Sequence, residues 1–467
     1  TAAEVGLSSL DAASAAKRAQ FDMGASWIHG SSSDHPISKF KDALGLSVVS
    51  TGDSGSAWVC ENSATDGCPK VSDWKQSETD DLRNQGTAVA EDSDTDISVW
   101  ASMEGLTSSG STRDTPMVAQ TLASAEFDNG GPWSQTSSWV DGSGDDWASF
   151  GGSETEEILT EGYVQLPQAL KDGTVHFDRH SDPSKITVTK ASSPKALEVR
   201  QGKKVTTITH SSSGVQIAGA DFTYDADYVI VTVPLGVLQA GSITFSPAID
   251  GAQQNAIDRM GFGNGVKVWV RFSTAFWADV TSDHWLVLGQ SQTPGLFTNW
   301  LNGKAVMDEP VLLCLVGGAA ADTVDDMTDA QMWSEIRQNF VKMFGSSIVP
   351  ADYVAIYKSS WKNDEFARGI YTFPKVGMLD GDWEVFDKPV GTTGRVYLAG
   401  EHTIRKYSAT VHGAFLSGRR AGNQVLTHLG CSSPEPSSAS RGKSSNWFLS
   451  GFVALASLIA GGRRFSR

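Results

Sequence analysis

The sequence predicts a mixed α/β (α+β) fold in two interleaved domains, and three observations carry that prediction. The run Tyr228-Val-Ile-Val-Thr-Val233 is β-branched throughout and reads as a strand buried on both faces. Shorter alternating stretches lie on either side of it, and Met332, Ile336, Phe340 and Phe344 recur at helical spacing. The chain has 467 residues, 40% of them apolar, which is material for two ordinary cores. A disulfide mini-protein and a wholly disordered chain are excluded.

In chain order, residues 1–20 are Ala-rich without a strong strand pattern. The first residue is Thr1 and no charged segment leads into an apolar run, so the start reads as a cut. From Ser50 to about Gly152 the composition turns to Ser, Gly, Asp and Trp, with a helical patch at Met117 to Glu126. Trp58, Trp74, Trp100, Trp133, Trp139 and Trp147 argue for a loop-rich but folded region, because a solvated segment seldom carries so many large rings. Val205 to Ile208 and Gly214 to Ile217 alternate as strands do. The run at 228–233 is closed by Pro234-Leu-Gly236, Val266 to Phe272 alternates again, Val311 to Val316 is a second buried strand, and Asp329 to Phe344 is a helix.

The end differs in kind. Residues 431–445 form a Ser-rich linker, and Asn446 to Gly462 carries no charge before Arg463 and Arg464. These 17 residues would span about 26 Å as a helix at about 1.5 Å per residue, slightly short of a hydrocarbon core of about 30 Å. A helix docked on the protein surface fits the same pattern. The polar linker and the Arg pair favour a single C-terminal membrane anchor over 446–462, and with it a membrane localisation. A lipid-attachment signal would not end in charged residues.

Lys plus Arg total 37 and Asp plus Glu 54, a net charge of −17 that opposes general nucleic-acid binding. The excess is local: Asp53 to Glu157 holds 21 acidic and four basic residues, and the rest of the chain is balanced. Cys60, Cys68, Cys314 and Cys431 form no paired C-x-x-C knuckles, so no structural zinc is expected, although Cys60 and Cys68 are near enough in sequence to bridge.

The most specific stretch runs from Val396 to Gly418, Val-Tyr-Leu-Ala-Gly-Glu-His-Thr-Ile-Arg-Lys-Tyr-Ser-Ala-Thr-Val-His-Gly-Ala-Phe-Leu-Ser-Gly. It reads as a short strand ending at Gly400-Glu401, a loop, and a helix that begins near Thr410 with one apolar face and one small-residue face. A helix start offers free N–H groups and a positive dipole end. Tight packing of a helix on a sheet fits the same spacing.

This segment closely resembles the C-terminal flavin-binding signature of the flavin-dependent amine oxidases, which include polyamine oxidases, monoamine oxidases and lysine-specific histone demethylases. Asp22-Met-Gly-Ala-Ser-Trp-Ile-His-Gly30, Thr160-Glu-Gly-Tyr163, Val231 to Leu238, Met260 to Lys267, and Trp361 to Tyr371 match in the same order. The resemblance implies an FAD-binding, Rossmann-like domain, incomplete at its N-terminus, from 1–45, 158–235 and 390–430. It implies a substrate domain of mixed sheet and helices from 46–157 and 236–389. It implies FAD contacts at Glu401, Gly400, Thr410, Val411, Gly24 and Ser26, with Val205 at the adenine end. Lys267 matches the lysine that holds a water at the flavin and assists oxygen; Trp361 and Tyr371 match aromatic positions beside the ring. His29 matches a substrate-tunnel histidine, and Asp141, Asp145 and Asp146 fall where acidic residues meet a cationic substrate.

One departure stands out. The family's G-x-G-x-x-G turn, which cradles the dinucleotide's pyrophosphate, occurs nowhere in the sequence, and Gly261-Phe-Gly-Asn-Gly265 has the wrong spacing. An incomplete chain explains this better than a degenerate one. The function expected is FAD-dependent oxidation of a polyamine C–N bond by oxygen, giving aldehyde, amine and hydrogen peroxide. The alternatives are a lysine-specific demethylase, which Gly400 to Gly418 and Ala125 to Asn129 resemble at least as closely, and a catalytically silent membrane-anchored binding protein. Against the demethylase, 50–152 lacks the sustained heptads of a long helical insert.

Overall fold

The computed structural model describes residues 21–51, 55–58, 66–71, 89, 95–107, 126–139, 155–178, 180, 182–288 and 293–431, together with the strand 452–456. Sheets and helices are mixed throughout, as the sequence predicts. A seven-stranded sheet is the largest unit, in the order β18-β14-β17-β16-β15-β3-β4. These strands are Ala355–Lys358 (β18), Gly265–Arg271 (β14), Val311–Gly317 (β17), Asn299–Asn302 (β16), Trp285–Leu288 (β15), Gly55–Trp58 (β3) and Lys70–Val71 (β4). All seven residues of β17 are buried, which is why it reads as an unbroken apolar run.

For β14 the expected alternation is only half the outcome. Val266, Val268 and Val270 enter a core with Trp300, Phe340 and Trp277. Lys267 and Trp269 point to the other face, and they are buried too, because Ile158, Leu301, Leu313 and partly buried Trp27 cover that face. The lysine is thus carried on a central strand with protein above and below it.

The helix α4 (Asp329–Phe344) covers the first face with Met332, Ile336 and Phe340, and it starts in a capping box between Thr328 and Gln331. Preceding it, α3 (Gly318–Asp326) ends where Lys358 Nζ donates to the carbonyls of Val324, Asp325 and Met327.

A smaller parallel sheet has the order β20-β11-β21, formed by Val396–Leu398 (β20), Tyr228–Thr232 (β11) and Phe452–Ala456 (β21). Beside it lies the sheet β10-β9-β8-β12, formed by Phe222–Ala226, Gly214–Gly219, Val205–Ser211 and Thr244–Ser246 in that order. Ile208, Ile217, Val229, Val231 and Leu398 share one core between these two sheets. A third sheet, β1-β5-β2, joins Trp27–Ile28 (β1), Glu157–Leu159 (β5) and Val48–Ser50 (β2) and packs with α1 (Pro36–Leu44) and α2 (Gln165–Asp172). Two strand pairs complete the set: Val175–Phe177 (β6) with Val188–Lys190 (β7), and Gly261–Phe262 (β13) with Thr372–Phe373 (β19).

The membrane anchor expected over 446–462 is contradicted, and the membrane localisation with it. No helix among the described residues is long and apolar enough to cross a membrane. Phe452–Ala456 instead pairs parallel with β11 along the edge opposite β20. The physical reason lies in the ambiguity of the signal: a parallel strand and a membrane span both read as continuous apolar runs. In the acidic insert, Trp58 and Trp133 are buried as a folded region requires, Trp100 and Trp139 are exposed, and Trp74 and Trp147 lie outside the described residues.

The α4 packing makes a direct prediction. Ile336→Ala should destabilise the protein by about 2–5 kcal/mol in urea titration. Exposed Gln338→Ala should change stability by no more than about 0.5 kcal/mol. Equal effects of the two would contradict the described helix face.

Candidate active site

The candidate residues gather in two groups, the first at the segment just before β1. Its backbone acts as an acceptor hub: the Asp22 carbonyl accepts from Trp269 Nε1 at 3.4 Å, Met23 from Trp361 Nε1 at 3.0 Å, and Gly24 from Lys267 Nζ at 2.5 Å. Ser26 Oγ takes a second Lys267 N–H at 2.6 Å, and the ammonium stands 5.0 Å from the centre of the Trp27 ring. Lys267 is itself fixed by its backbone N–H, which donates to Ser359 Oγ at 2.9 Å. Burial pushes the lysine down to about 8, against the opposing pull of the Asp22 carboxylate. Burial likewise pushes Asp22 up to about 6, opposed by the Tyr163 N–H, which it accepts at 2.9 Å, and by Lys267.

The second group surrounds Glu401. After β20 the chain passes Gly400, at φ 153°, where a Cβ would lie 2.5 Å from the His402 ring, so glycine is required. Gly400 N donates to Ser417 Oγ at 2.9 Å. Glu401 Oε2 accepts from Thr372 Oγ1 at 2.5 Å and from Ala409 N at 2.8 Å. Burial nonetheless outweighs these bonds and raises the Glu401 carboxyl to about 7. Helix α5 (Val411–His428) begins immediately afterwards. Thr410 is its N-cap, with Oγ1 accepting from Gly413 N at 3.0 Å and donating to the Tyr407 carbonyl at 2.7 Å. A Cβ on Gly413 would come within 1.9 Å of that carbonyl, which is how closely the helix start is folded onto its loop.

Acidic and aromatic residues connect the two groups. The Tyr371 hydroxyl donates to the Phe127 carbonyl, and its ring meets Phe127 edge-on at 6.4 Å. Next to Phe127, Asp128 is exposed by surface area, yet surrounding protein raises its carboxyl to about 6, with His29 opposing and the Glu156 carboxylate adding to the rise. His29 Nδ1 lies 2.7 Å from Glu156 Oε2. Both Asp128 and Glu401 act on the buried Tyr371 hydroxyl and push its ionisation up, after burial itself.

The sequence-predicted residues therefore divide into three sets. Lys267, Trp361, Gly24 and Ser26 are brought together by hydrogen bonds, and Glu401, Gly400, Thr410 and Tyr371 gather about the start of α5, where Val411 is the first helical residue. His29 pairs with Glu156. Val205 lies apart, at the start of β8 against the core of the parallel sheet. Asp141, Asp145 and Asp146 lie outside the described residues. Asp22, Asp128, Glu156 and Thr372 were not singled out by sequence reasoning. The first two sit inside quoted matching stretches, at Asp22–Gly30 and Ala125–Asn129, and could have been found there; no local pattern marks Glu156. Among the described residues no cluster of His, Cys, Asp and Glu could hold a metal ion.

Comparison with known proteins gives three findings. The family model for flavin containing amine oxidoreductase matches residues 17–426. Among curated relatives, the lysine-specific histone demethylase 1 homolog 1 of Arabidopsis thaliana is 34% identical over 231 residues, covering 49% of this chain and 27% of the relative. The possible lysine-specific histone demethylase 1 of Drosophila melanogaster is 32% identical over 258 residues, covering 50% and 28%. The chain thus spans less than a third of the length of these relatives. Of solved structures, cyclohexylamine oxidase from Brevibacterium oxydans superposes with a TM-score of 0.63 at 17% identity, over 88% of each chain. A putrescine oxidase redesigned in its cofactor binding superposes at 0.62 and 17%, over 87% of this chain and 88% of the other. At such identity the likeness is one of fold.

The Glu401 environment predicts a pH signature in the cofactor-free protein. Its folded-state value, about 7, lies above the ordinary 4.5, so the neutral carboxyl contributes stability that is fully present below about 4.5 and lost as pH rises through 7. Glu401→Gln is neutral at every pH. Thermal unfolding of the wild type should fall relative to this variant between pH 5 and 8; parallel curves would contradict the described burial.

Proposed function

The chain belongs to the flavin-containing amine oxidoreductases, a membership that makes FAD its cofactor, and on that premise we propose that it oxidises a C–N bond of a polyamine with oxygen. Its residues fit the ring end of such a cofactor. The α5 N-terminus is a positive dipole end beside small residues, and buried His402 Nε2 has no partner among the described residues. Glu401, Gly400, Thr410, Val411, Gly24 and Ser26 would hold the flavin, and Val205 the adenine end. No G-x-G-x-x-G turn for the pyrophosphate occurs in these 467 residues.

When bound, FAD supplies hydride acceptance from the carbon beside a neutral amine nitrogen and passes the electrons to oxygen as hydrogen peroxide, leaving an imine that water hydrolyses to aldehyde and amine. The chain's own part is to place and to charge. Lys267, desolvated and clamped by Gly24 and Ser26, holds a proton at Nζ close to neutrality, where it can order a water and assist oxygen. Trp361 and Tyr371 wall the approach with aromatic faces, which suit an amine body.

The observation that carries the polyamine reading is the constellation of Asp128, Glu156 and His29. The Glu156 carboxylate adds to the rise of the Asp128 carboxyl and pairs with His29, and neighbouring carboxylates of this kind favour a cation beside them; a polyamine brings a second cation where a monoamine does not. The local acidity of Asp53 to Glu157 would add long-range attraction.

A second reading, a lysine demethylase, is favoured by the names of the curated relatives. A methylated lysine is also a cationic amine, and the same carboxylates could receive a neighbouring basic residue of a peptide. The membrane-anchored binding protein loses its anchor with the strand pairing of 452–456.

Peroxide release separates the first two. The FAD-loaded full chain should turn over spermine or spermidine faster than a methylated histone H3 peptide. Asp128→Asn and Glu156→Gln should each raise KM for spermine roughly tenfold, about 1.4 kcal/mol, with little effect on a monoamine. Activity confined to the peptide would reverse the assignment. Lys267→Met should keep the yellow flavin colour and lose most of the oxygen reactivity.

A further inference from the structure

The hydrogen-bond hub before β1 contains one group that the proposed chemistry does not use, the Asp22 carboxylate. Every other acceptor in the segment serves a donor from the seven-stranded sheet or its flank: Trp269 at the Asp22 carbonyl, Trp361 at Met23, Lys267 at Gly24 and Ser26. Asp22 Oδ2 faces the other way and accepts the Tyr163 N–H, where the chain turns from β5 into α2. Asp22 therefore ties the segment that grips the lysine to the sheet β1-β5-β2. Asp22 and Ser26 also share the wall of one small cavity with Trp27, Trp269 and Leu313, on the face of the sheet that carries Lys267.

We infer that Asp22 is a positioning residue for Lys267: its bond to Tyr163 fixes the segment whose carbonyl and hydroxyl grip the ammonium, and its negative charge keeps that ammonium protonated in a desolvated place. A buried lysine held only by neutral acceptors gives up its proton readily, because burial penalises the charged form and two oxygen dipoles do not replace hydration. The charged group that acts on Lys267 is Asp22 and the one that acts on Asp22 is Lys267; Asp22 and the Glu156 carboxylate each act on the Tyr163 hydroxyl. The inference rests on Lys267 having the role proposed above, but its test needs neither cofactor nor turnover.

In full-length protein labelled at lysine side chains with 13C, the Lys267 resonance is identified by its loss in Lys267→Arg and titrated by NMR. Asp22→Asn keeps the acceptor for Tyr163 N–H and removes the charge. Lys267 should then titrate about one unit below its wild-type midpoint near 8, with tryptophan emission unchanged. An unmoved or raised midpoint would overturn the inference. Should that variant not fold, Lys267→Met gives the reciprocal test, in which the Asp22 carboxyl must titrate above its wild-type value of about 6, and an unmoved value overturns the inference equally. Absence of amine oxidase activity in the loaded wild type would instead count against the proposed function alone.

Discussion

Burying one ammonium sets the terms for much of this molecule. Lys267 sits in the middle of β14, between strands on both sides and with apolar cores on both faces, where it is withdrawn from bulk water. A charge in such a place must be met by fixed groups. The chain meets it with an irregular segment, 22–26, brought across 243 and 241 residues of sequence to offer a carbonyl and a hydroxyl. Trp27 places its ring under the cation, and Trp361 and Trp269 use their indole N–H groups to hold the same segment in place. What looks like a loop before a two-residue strand is thus tied to the sheet and its flank by four side-chain donor bonds.

A second constraint acts at the start of α5. Helix termini leave N–H groups without partners, and here the chain supplies Thr410 as cap and folds the preceding loop so tightly that Tyr407 and Ala409 adopt positive φ. Glu401 spans the gap between that loop and β19 through Ala409 and Thr372. The two ends of the site are therefore built by different means. One is an ammonium gripped by a carbonyl and a hydroxyl with the Asp22 carboxylate acting on it, the other a carboxyl whose proton affinity is raised by burial. A third set of side chains is linked by charge: Glu156 pairs with His29 and acts on Asp128, and Asp128 and Glu401 both act on the Tyr371 hydroxyl.

How much of this was legible in the sequence depends on whether the signal was local. The runs at 228–232 and 311–317 and the helix at 329–344 were read directly, because residues buried on both faces, or on one helical face, leave a continuous or periodic apolar trace. The same trace misled at the C-terminal tail, where an uncharged run serves a parallel strand as readily as a membrane. Within the candidate site, Lys267, Glu401 and Thr410 are named by matching motifs. Glu156 was not, because its partner His29 lies 127 residues away and nothing in either neighbourhood encodes that meeting. Asp22 and Asp128 lie inside recognised stretches, and their burial by distant parts of the chain is not written in those stretches.

The central claim is that the segment 22–26 with Lys267 and the start of α5 with Glu401 are two walls of a single flavin site. A crystal structure of the chain loaded with FAD tests it most directly. The account predicts the flavin ring between Lys267 and the N-terminus of α5, with a water on the lysine ammonium. A ring bound elsewhere, or a lysine still turned to Gly24 with no path to the ring, would contradict it.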